Sequence, residues 1–401
     1  MVQITAQAGP TGSGERYTLG MSSAAPITSR WTDDLLDRMR ETVDPLADQV
    51  ISELMASGNL AAVNAVMRTL VENDQLPPDG LPGCVQAYLA SSAGLPSWAD
   101  PDKIRKGEEV FWKYGTGAVS LLTVYALPFC YLGAKGVQVL AMTARLYTNP
   151  YRRIVETAQM VVDVMSQGGL APAGKGIRTA QKVRLMHAGV RAQVHASGQW
   201  KPEWGQPINL EDMVGTLMAF SWVTLDGLRR LGTDLSDEEA EAYLHAWNVV
   251  GHILGLRDEL LPVDMADAAA LVAAIERRQF GASPEGQMMN RALVEMVRHV
   301  LPGNLLDAVP EMLMRHLLGD RPADMLGVAK TDWPKLLLQP LTLVNLAGED
   351  LLNHDKIASR IAEVFSKSLI NGMVWVGRGD NKPAFAIPTA LREVWGVDWI
   401  A

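Results

Sequence analysis

Two short segments of this chain carry residue types spaced for chemistry. In the run KVRLMHAGVR over 182–191, intervals of three and four residues put Arg184, His187 and Arg191 on one helical stripe, with Val183, Met186 and Val190 as apolar neighbours. That stripe offers an imidazole to a metal and two guanidiniums to an anion. Haem needs both, a neutral imidazole nitrogen for its iron and cations for its carboxylates. A basic amphipathic helix with an incidental histidine fits the same letters. The second segment spaces Arg153, Glu156 and Thr157 three and four residues apart and continues through Met160 and Val164. It begins polar and turns apolar, as a face lining the open side of such a group would, with Arg153 and Thr157 as hydrogen-bond donors and Glu156 as a base. A solvated Arg–Glu pair is the other reading.

Further candidates reduce to ordinary structure. Gly169–Lys175 fits GxxxxGK, but Gly176 stands where a phosphate loop needs Ser or Thr, and the segment follows a helix and not a strand. It reads as a loop. His245 and His252 lie seven apart on one expected helix, with Trp247, Val249 and Val250 between them and no third ligand at helical spacing. They read as core or interface histidines. HExxH, GxSxG and GxGxxG in a strand-to-helix setting are all missing from the sequence, which removes support for zinc protease, α/β-hydrolase and dinucleotide chemistry. Cys84 and Cys130 sit in apolar contexts and read as core thiols.

The elements that must position these residues are helical from end to end. Ser236 and Glu239 form a capping box opening a helix through His245, and Ser283-Pro284-Glu285 opens another. Asn149-Pro150 starts a helix over Tyr151–Gln167 that stops at Gly168-Gly169, and Asn209 heads a run over Leu210–Leu231 that closes on Gly232. Proline and glycine clusters at Gln75–Pro82, Leu95–Pro101, Gly168–Gly176 and Lys201–Pro207 separate the helices. Strand-length alternation is nearly absent and no internal repeat is visible. The fold class expected is all-α, a compact helical bundle.

Composition sets the outer limits. Of 401 residues, 48% are hydrophobic and 20% charged, which is ordinary for a globular chain. A formal charge of −9 without a long basic run argues against a nucleic-acid partner. Residues 1–29 are rich in Gly, Ser, Thr and Pro and lack a basic start followed by an apolar run, so they read as a flexible arm on a cytoplasmic protein, or on a secreted one if the chain is a processed form, ahead of a single domain over 30–401. Tyr114–Ala134 is free of formal charge for 21 residues, but Gly115, Gly117, Pro128 and Gly133 interrupt it. A buried core helix is expected there, with no stable membrane insertion.

Taken together, Arg153-Ile154-Val155-Glu156-Thr157 and the 182–191 segment resemble the latex clearing proteins, within the wider family of MpaB-type b-haem oxygenases. The interval from Arg153 to His187 matches that family. The resemblance continues in Val43–Asp48, in Leu95–Trp98 and in His316–Asp320, and so covers most of the chain from about Arg30 to about Lys330. It implies a globin-like helical core, a non-covalent b-type haem and His187 as the proximal iron ligand. By the same matching Arg153 and Thr157 belong to the distal pocket, and Arg184, Arg191 and Arg315 support the haem or its proximal helix. The implied reaction uses O2 to cleave an apolar, olefinic, isoprenoid-like substrate, small molecule or polymer, into two carbonyl products. A haem or gas-binding protein without turnover is the alternative. Two features depart from the family. Glu156 stands where rubber-cleaving members can have a distal lysine, and Tyr131–Leu146 contains no Asp or Glu to act as the base expected on the preceding helix. Glu156, partly desolvated in an apolar pocket, is then the expected proton acceptor.

Overall fold

The fold is organised by one long helix and the close approaches that its small residues allow. The computed structural model describes residues 30–143, 150–301, 306–330 and 361–370. Those beyond Arg30 fall in one compact unit, and the arm expected over 1–29 lies outside the described residues. No strand occurs among the described residues, and an isolated antiparallel bridge joins Gly133 to Phe280. The helices are α1 (Asp33–Arg40), α2 (Pro45–Ala56), α3 (Leu60–Thr69), α4 (Gly83–Ser91), α5 (Pro101–Leu121), α6 (Leu127–Tyr131), α7 (Val137–Met142), α8 (Pro150–Met165) and α9 (Gly176–Ala196). They continue with α10 (Leu210–Phe220), α11 (Trp222–Arg230), α12 (Asp237–Ile253), α13 (Met265–Gln279), α14 (Pro284–Val300), α15 (Val309–Leu318) and α16 (Asp320–Met325). Residues 361–370 are also helical.

Helix α5 runs through the main core against α12. At their crossing a Cβ on Gly107 would lie 2.7 Å from the Ala242 carbonyl oxygen and 3.0 Å from the Ala246 methyl, so the two backbones approach as only a glycine permits. The core beside them stacks Phe220 on the fully buried Trp247 at 5.3 Å. The uncharged stretch Tyr114–Ala134 is a buried core helix, as expected. It continues α5 through a π turn at Leu122–Ala126 into α6. The wide turn immediately precedes Pro128, which has no N–H to give and whose ring would crowd the carbonyl four residues back. Among the described residues no helix is long and apolar enough to cross a membrane.

The caps expected at Ser236, Ser283 and Asn209 are present, and the one expected at Asn149 lies outside the described residues. Ser236 and Glu239 exchange side-chain and backbone hydrogen bonds, and Ser283 Oγ accepts from Gly286 N–H at 3.0 Å. The run expected over Leu210–Leu231 is instead two helices, α10 and α11. Ser221 breaks it with φ −101° and ψ −89°, donating from its hydroxyl to the Leu217 carbonyl at 2.8 Å, while Thr224 bonds back to Ala219. Hydroxyls that compete for backbone carbonyls bend a helix, and a window of apolar periodicity does not register them.

A buried ionic knot fixes α10. Arg40 of α1 and Arg278 of α13 both bond the fully buried Glu211, at 2.8 and 2.7 Å, and Arg40 also reaches Asp212 at 2.8 Å. A smaller apolar cluster made by α2, α3 and α4 packs on Leu185 and Ala188 of α9.

The Gly168–Gly176 segment is a loop, as its sequence suggests, and it does bind an anion. That anion is internal: Glu108 of α5, 5% exposed, accepts the Gly168 N–H at 2.9 Å together with hydrogen bonds from the Gly169 and Leu170 amides. Asn73 closes the loop from the other side, donating to the carbonyls of Gly169 and Ala171 at 2.9 and 2.6 Å. Because this loop joins α8 to α9, Glu108 sets where both helices begin and end.

Burial pushes the Glu108 carboxyl up to about 6, against the pull of the three amides. The folded state therefore holds this proton more tightly than the unfolded chain. The associated stability is complete below the unfolded value near 4.5 and is lost as pH rises through about 6, a swing of roughly 1–2 kcal/mol. Glu108→Gln keeps an acceptor for the amides and cannot titrate. Compared with the wild type, it is expected to gain that amount on going from pH 4.5 to pH 7.5 in urea unfolding. An equal difference between the two proteins at both pH values would contradict this.

Candidate functional site

The His187 stripe is built by two ion pairs. Arg184 bonds Asp44 through two nitrogens, with Nη2 to Oδ1 at 2.8 Å, and Arg191 meets Asp48 Oδ1 at 2.8 Å from Nε and 2.7 Å from Nη2. Both carboxylates belong to the start of α2, where Asp44 is the N-cap and also accepts from Ala47 N–H at 3.3 Å. The clamp thus joins one helix N-terminus to one face of α9, one turn to either side of His187. Its arginines are well buried and further bonded to the carbonyls of Ile253 and Ile208, at 3.4 and 3.2 Å. A guanidinium fork matches a carboxylate in this way, and pairing with hydrogen bonding offsets the cost of burying the charges.

Gly255 lets the clamp close. Its φ is +95°, and a Cβ there would stand 2.7 Å from both Arg184 Nε and Asp44 Oδ2. A side chain would be strained by the backbone and would also occupy the space of the ion pair.

His187 is half-buried and lines a small, solvent-open cavity of about 10 Å3 together with Arg184 and Arg191. The apolar wall is Leu210 and Met213 of α10, Leu254 after α12, and Ile208. Ile208 has φ 52°, in the left-handed region that costs a side-chain-bearing residue about 1–2 kcal/mol. The three stripe residues are therefore brought together as their spacing implies. The anions that their arginines meet are Asp44 and Asp48, so both guanidiniums support the helix that carries His187. The imidazole is the nitrogen donor of this wall. No three His, Cys, Asp or Glu groups converge as ligands for a bare ion among the described residues. An imidazole nitrogen is the donor that a b-type haem would take from this wall.

Glu156 and Thr157 stand apart from this cavity. Helix α8 packs beside α9 and is tied to it where Thr179 donates to Asp163 at 2.9 Å. Its stripe turns apolar as expected, with Met160 and Val164 buried. Thr157 is half-buried, and the side chain of Arg153 lies outside the described residues. Glu156 is exposed, and this corrects the expectation of a desolvated carboxylate: helical rotation turns it outward while Ile154 and Val155 take the core side. Neither Glu156 nor Thr157 lines the His187 cavity. Arg315 closes the turn between α15 and α16, bonding Asp320, Asp324 and the Ala329 carbonyl at 3.3, 2.6 and 2.9 Å. Its guanidinium supports that turn.

Two sequence readings gain a physical account. His245 and His252 are interface histidines, both meeting the Trp98 ring edge-on at 5.7 and 5.9 Å. His245 Nε2 accepts from Asp100 N–H at 2.9 Å, and His252 pairs with Asp258 at 2.6 Å. Tyr131–Leu146 carries no acid of its own, and within it Gln138 of α7 donates to Glu285 of α14 at 3.0 Å. Asp44, Asp48, Ile208 and Gly255 were not legible as site residues. The only signal for the first two was that they stand in a segment resembling the latex clearing proteins.

The catalytic-domain model of the family described as ER-bound oxygenase mpaB/B'/Rubber oxygenase matches residues 112–343, more than half of the chain. The chain belongs to this family. The oxygenase is also similar to a curated protein named Rubber oxygenase from Streptomyces sp. (strain K30), at 28% identity over 316 residues, 73% of this chain and 75% of that protein. Its fold is similar to a solved structure of latex clearing protein LCP in the closed state. The match has a TM-score of 0.65 and 25% identity and covers 82% of this chain and 91% of that one. The resemblance first seen in the 153–157 and 182–191 segments therefore extends over 82% of the chain, and the expected all-α class holds.

Replacing Asp44 by Asn keeps the cap acceptor and removes the charge opposite Arg184. The oxygenase should lose about 2–4 kcal/mol in urea unfolding, the usual cost of leaving one buried partner uncompensated. Asp44→Asn combined with Arg184→Met should recover part of it. A single-variant loss under 0.5 kcal/mol would mean that the clamp contributes little.

Proposed function

We propose that this oxygenase holds a b-type haem through His187 and uses O2 to cleave the double bond of an olefinic, isoprenoid-like substrate. The observation that carries the reading is the lone imidazole on a cavity wall, fixed by ion pairs on both sides, in a chain of the mpaB/rubber oxygenase family. A haem bound there supplies the iron chemistry that activates O2. Adding O2 across a C=C bond and breaking that bond yields two carbonyls, so the reaction balances without another reductant.

The chain's own residues divide the remaining work. Asp44 and Asp48 hold Arg184 and Arg191, and through them the helix that aims the imidazole. Leu210, Met213 and Leu254 give that side an apolar wall. From α8, Arg153 and Thr157 are proposed to donate hydrogen bonds where negative charge develops on oxygen, and Glu156 to accept the allylic proton. Glu156 then gives that proton back to the carbon that lost it, so that the two carbonyl products keep every hydrogen of the substrate. Its place in the family pattern, where a lysine can stand, favours small unsaturated substrates over solid polyisoprene.

His187→Ala should lose most of its haem, read from the Soret band per chain, while far-ultraviolet circular dichroism stays helical. Full haem content in this variant, with loss in His245→Ala or His252→Ala, would move the ligand elsewhere. For the base, Glu156→Gln should retain haem and lose at least about tenfold in O2 uptake with a small alkene, within the range of general-base catalysis. Wild-type turnover across the accessible pH range would remove Glu156 from the mechanism.

A further inference from the structure

Ile208 occupies a backbone conformation that its side chain tolerates poorly. At φ 52° it is the non-glycine residue with positive φ among the described residues, and a β-branched side chain crowds the following carbonyl there. Glycine or asparagine would sit at this position more easily. The surroundings nonetheless pin the residue on both sides. Arg191 Nη1–H donates to the Ile208 carbonyl at 3.2 Å. Asn209 caps α10, accepting from Asp212 N–H at 2.8 Å and donating to the Gln206 carbonyl at 2.7 Å. On either side of the pair, Gln206 N–H donates to the Arg40 carbonyl at 3.0 Å and Leu210 N–H to the Thr42 carbonyl at 2.9 Å. The result of this over-determination is that Ile208, half-buried, stands in the wall of the cavity that His187 also lines.

Backbone strain that the rest of the fold enforces marks a position where stability has been given up for something else. Here the same guanidinium that is clamped to Asp48 also holds the strained carbonyl, so the stripe carrying His187 and the residue facing into its cavity are one mechanical unit. We infer that Ile208 is a positioning residue that walls the His187 imidazole off from water, the strained backbone being kept because it directs this side chain into the cavity. The inference deepens the proposed function and rests on its reading of His187 as the functional imidazole. The shielding itself belongs to the haem-free chain as much as to the loaded one.

The test uses the full chain, haem-free and haem-loaded, as wild type and as Ile208→Gly, Ile208→Asn and Ile208→Val. Glycine and asparagine relieve the backbone and remove the apolar wall, whereas valine keeps both strain and wall. In the haem-free chain, carbethoxylation of His187 by diethyl pyrocarbonate is measured by peptide mass spectrometry against His195, an exposed histidine two turns along the same helix. Glycine and asparagine should raise His187 labelling at least about fivefold relative to His195 with an equal or higher urea midpoint, and valine should stay near wild type. In the loaded chain the same two variants should release haem to excess apomyoglobin at least about tenfold faster. Unchanged relative labelling overturns the inference. So does a lower midpoint or failure to fold in both relieved variants, since the side chain would then be structural and not a cost to the fold. If no preparation takes up haem, the haem reading fails separately, and labelling and unfolding still decide the role of Ile208.

Discussion

The double ion pair between α2 and α9 is the constraint on which the site depends. An imidazole serves as a ligand only if its helix is held at fixed rotation, and rotation about its own axis is the motion that apolar packing restrains least. Asp44 with Arg184 and Asp48 with Arg191 stop it from both ends of the two turns around His187. The pairs are partly buried, so they act as directional locks more than as a source of net stability. Their directionality also explains Gly255, since fork and carboxylate need the space that any side chain would fill.

Anions drawn from within the protein recur through the structure. Glu108 fills the amide-lined loop between α8 and α9, Glu211 takes two arginines from α1 and α13, and Asp44 and Asp48 take the arginines of the His187 stripe. Each joins elements far apart in sequence at a place where a helix starts or ends. A net charge of −9 supplies carboxylates enough for this. The motifs that suggest an external anion, a GxxxxGK loop and a pair of arginines, are satisfied internally. The cavity that the His187 imidazole lines is bounded by these paired charges on one side and by an apolar wall on the other.

Much of this protein was determined by its sequence alone. The Arg184–His187–Arg191 stripe follows from helical spacing, because residues three and four apart must share a face. The capping box at Ser236, the loop at Gly168–Gly176 and the buried Tyr114–Ala134 segment follow from local chemistry that acts within a few residues. Family membership was legible too, since motif and interval together are specific where either alone is not. Tertiary structure decided what depends on contacts between distant segments. It chose Asp44 and Asp48 as partners across about 140 residues, turned Glu156 toward solvent, brought Glu285 to Gln138, and bent the Leu210–Leu231 run at Ser221. Ile208 is the clearest case. Nothing in its own letters or its neighbours' calls for a left-handed backbone, and only Arg191, Arg40 and Thr42, placed around it by the finished fold, impose one.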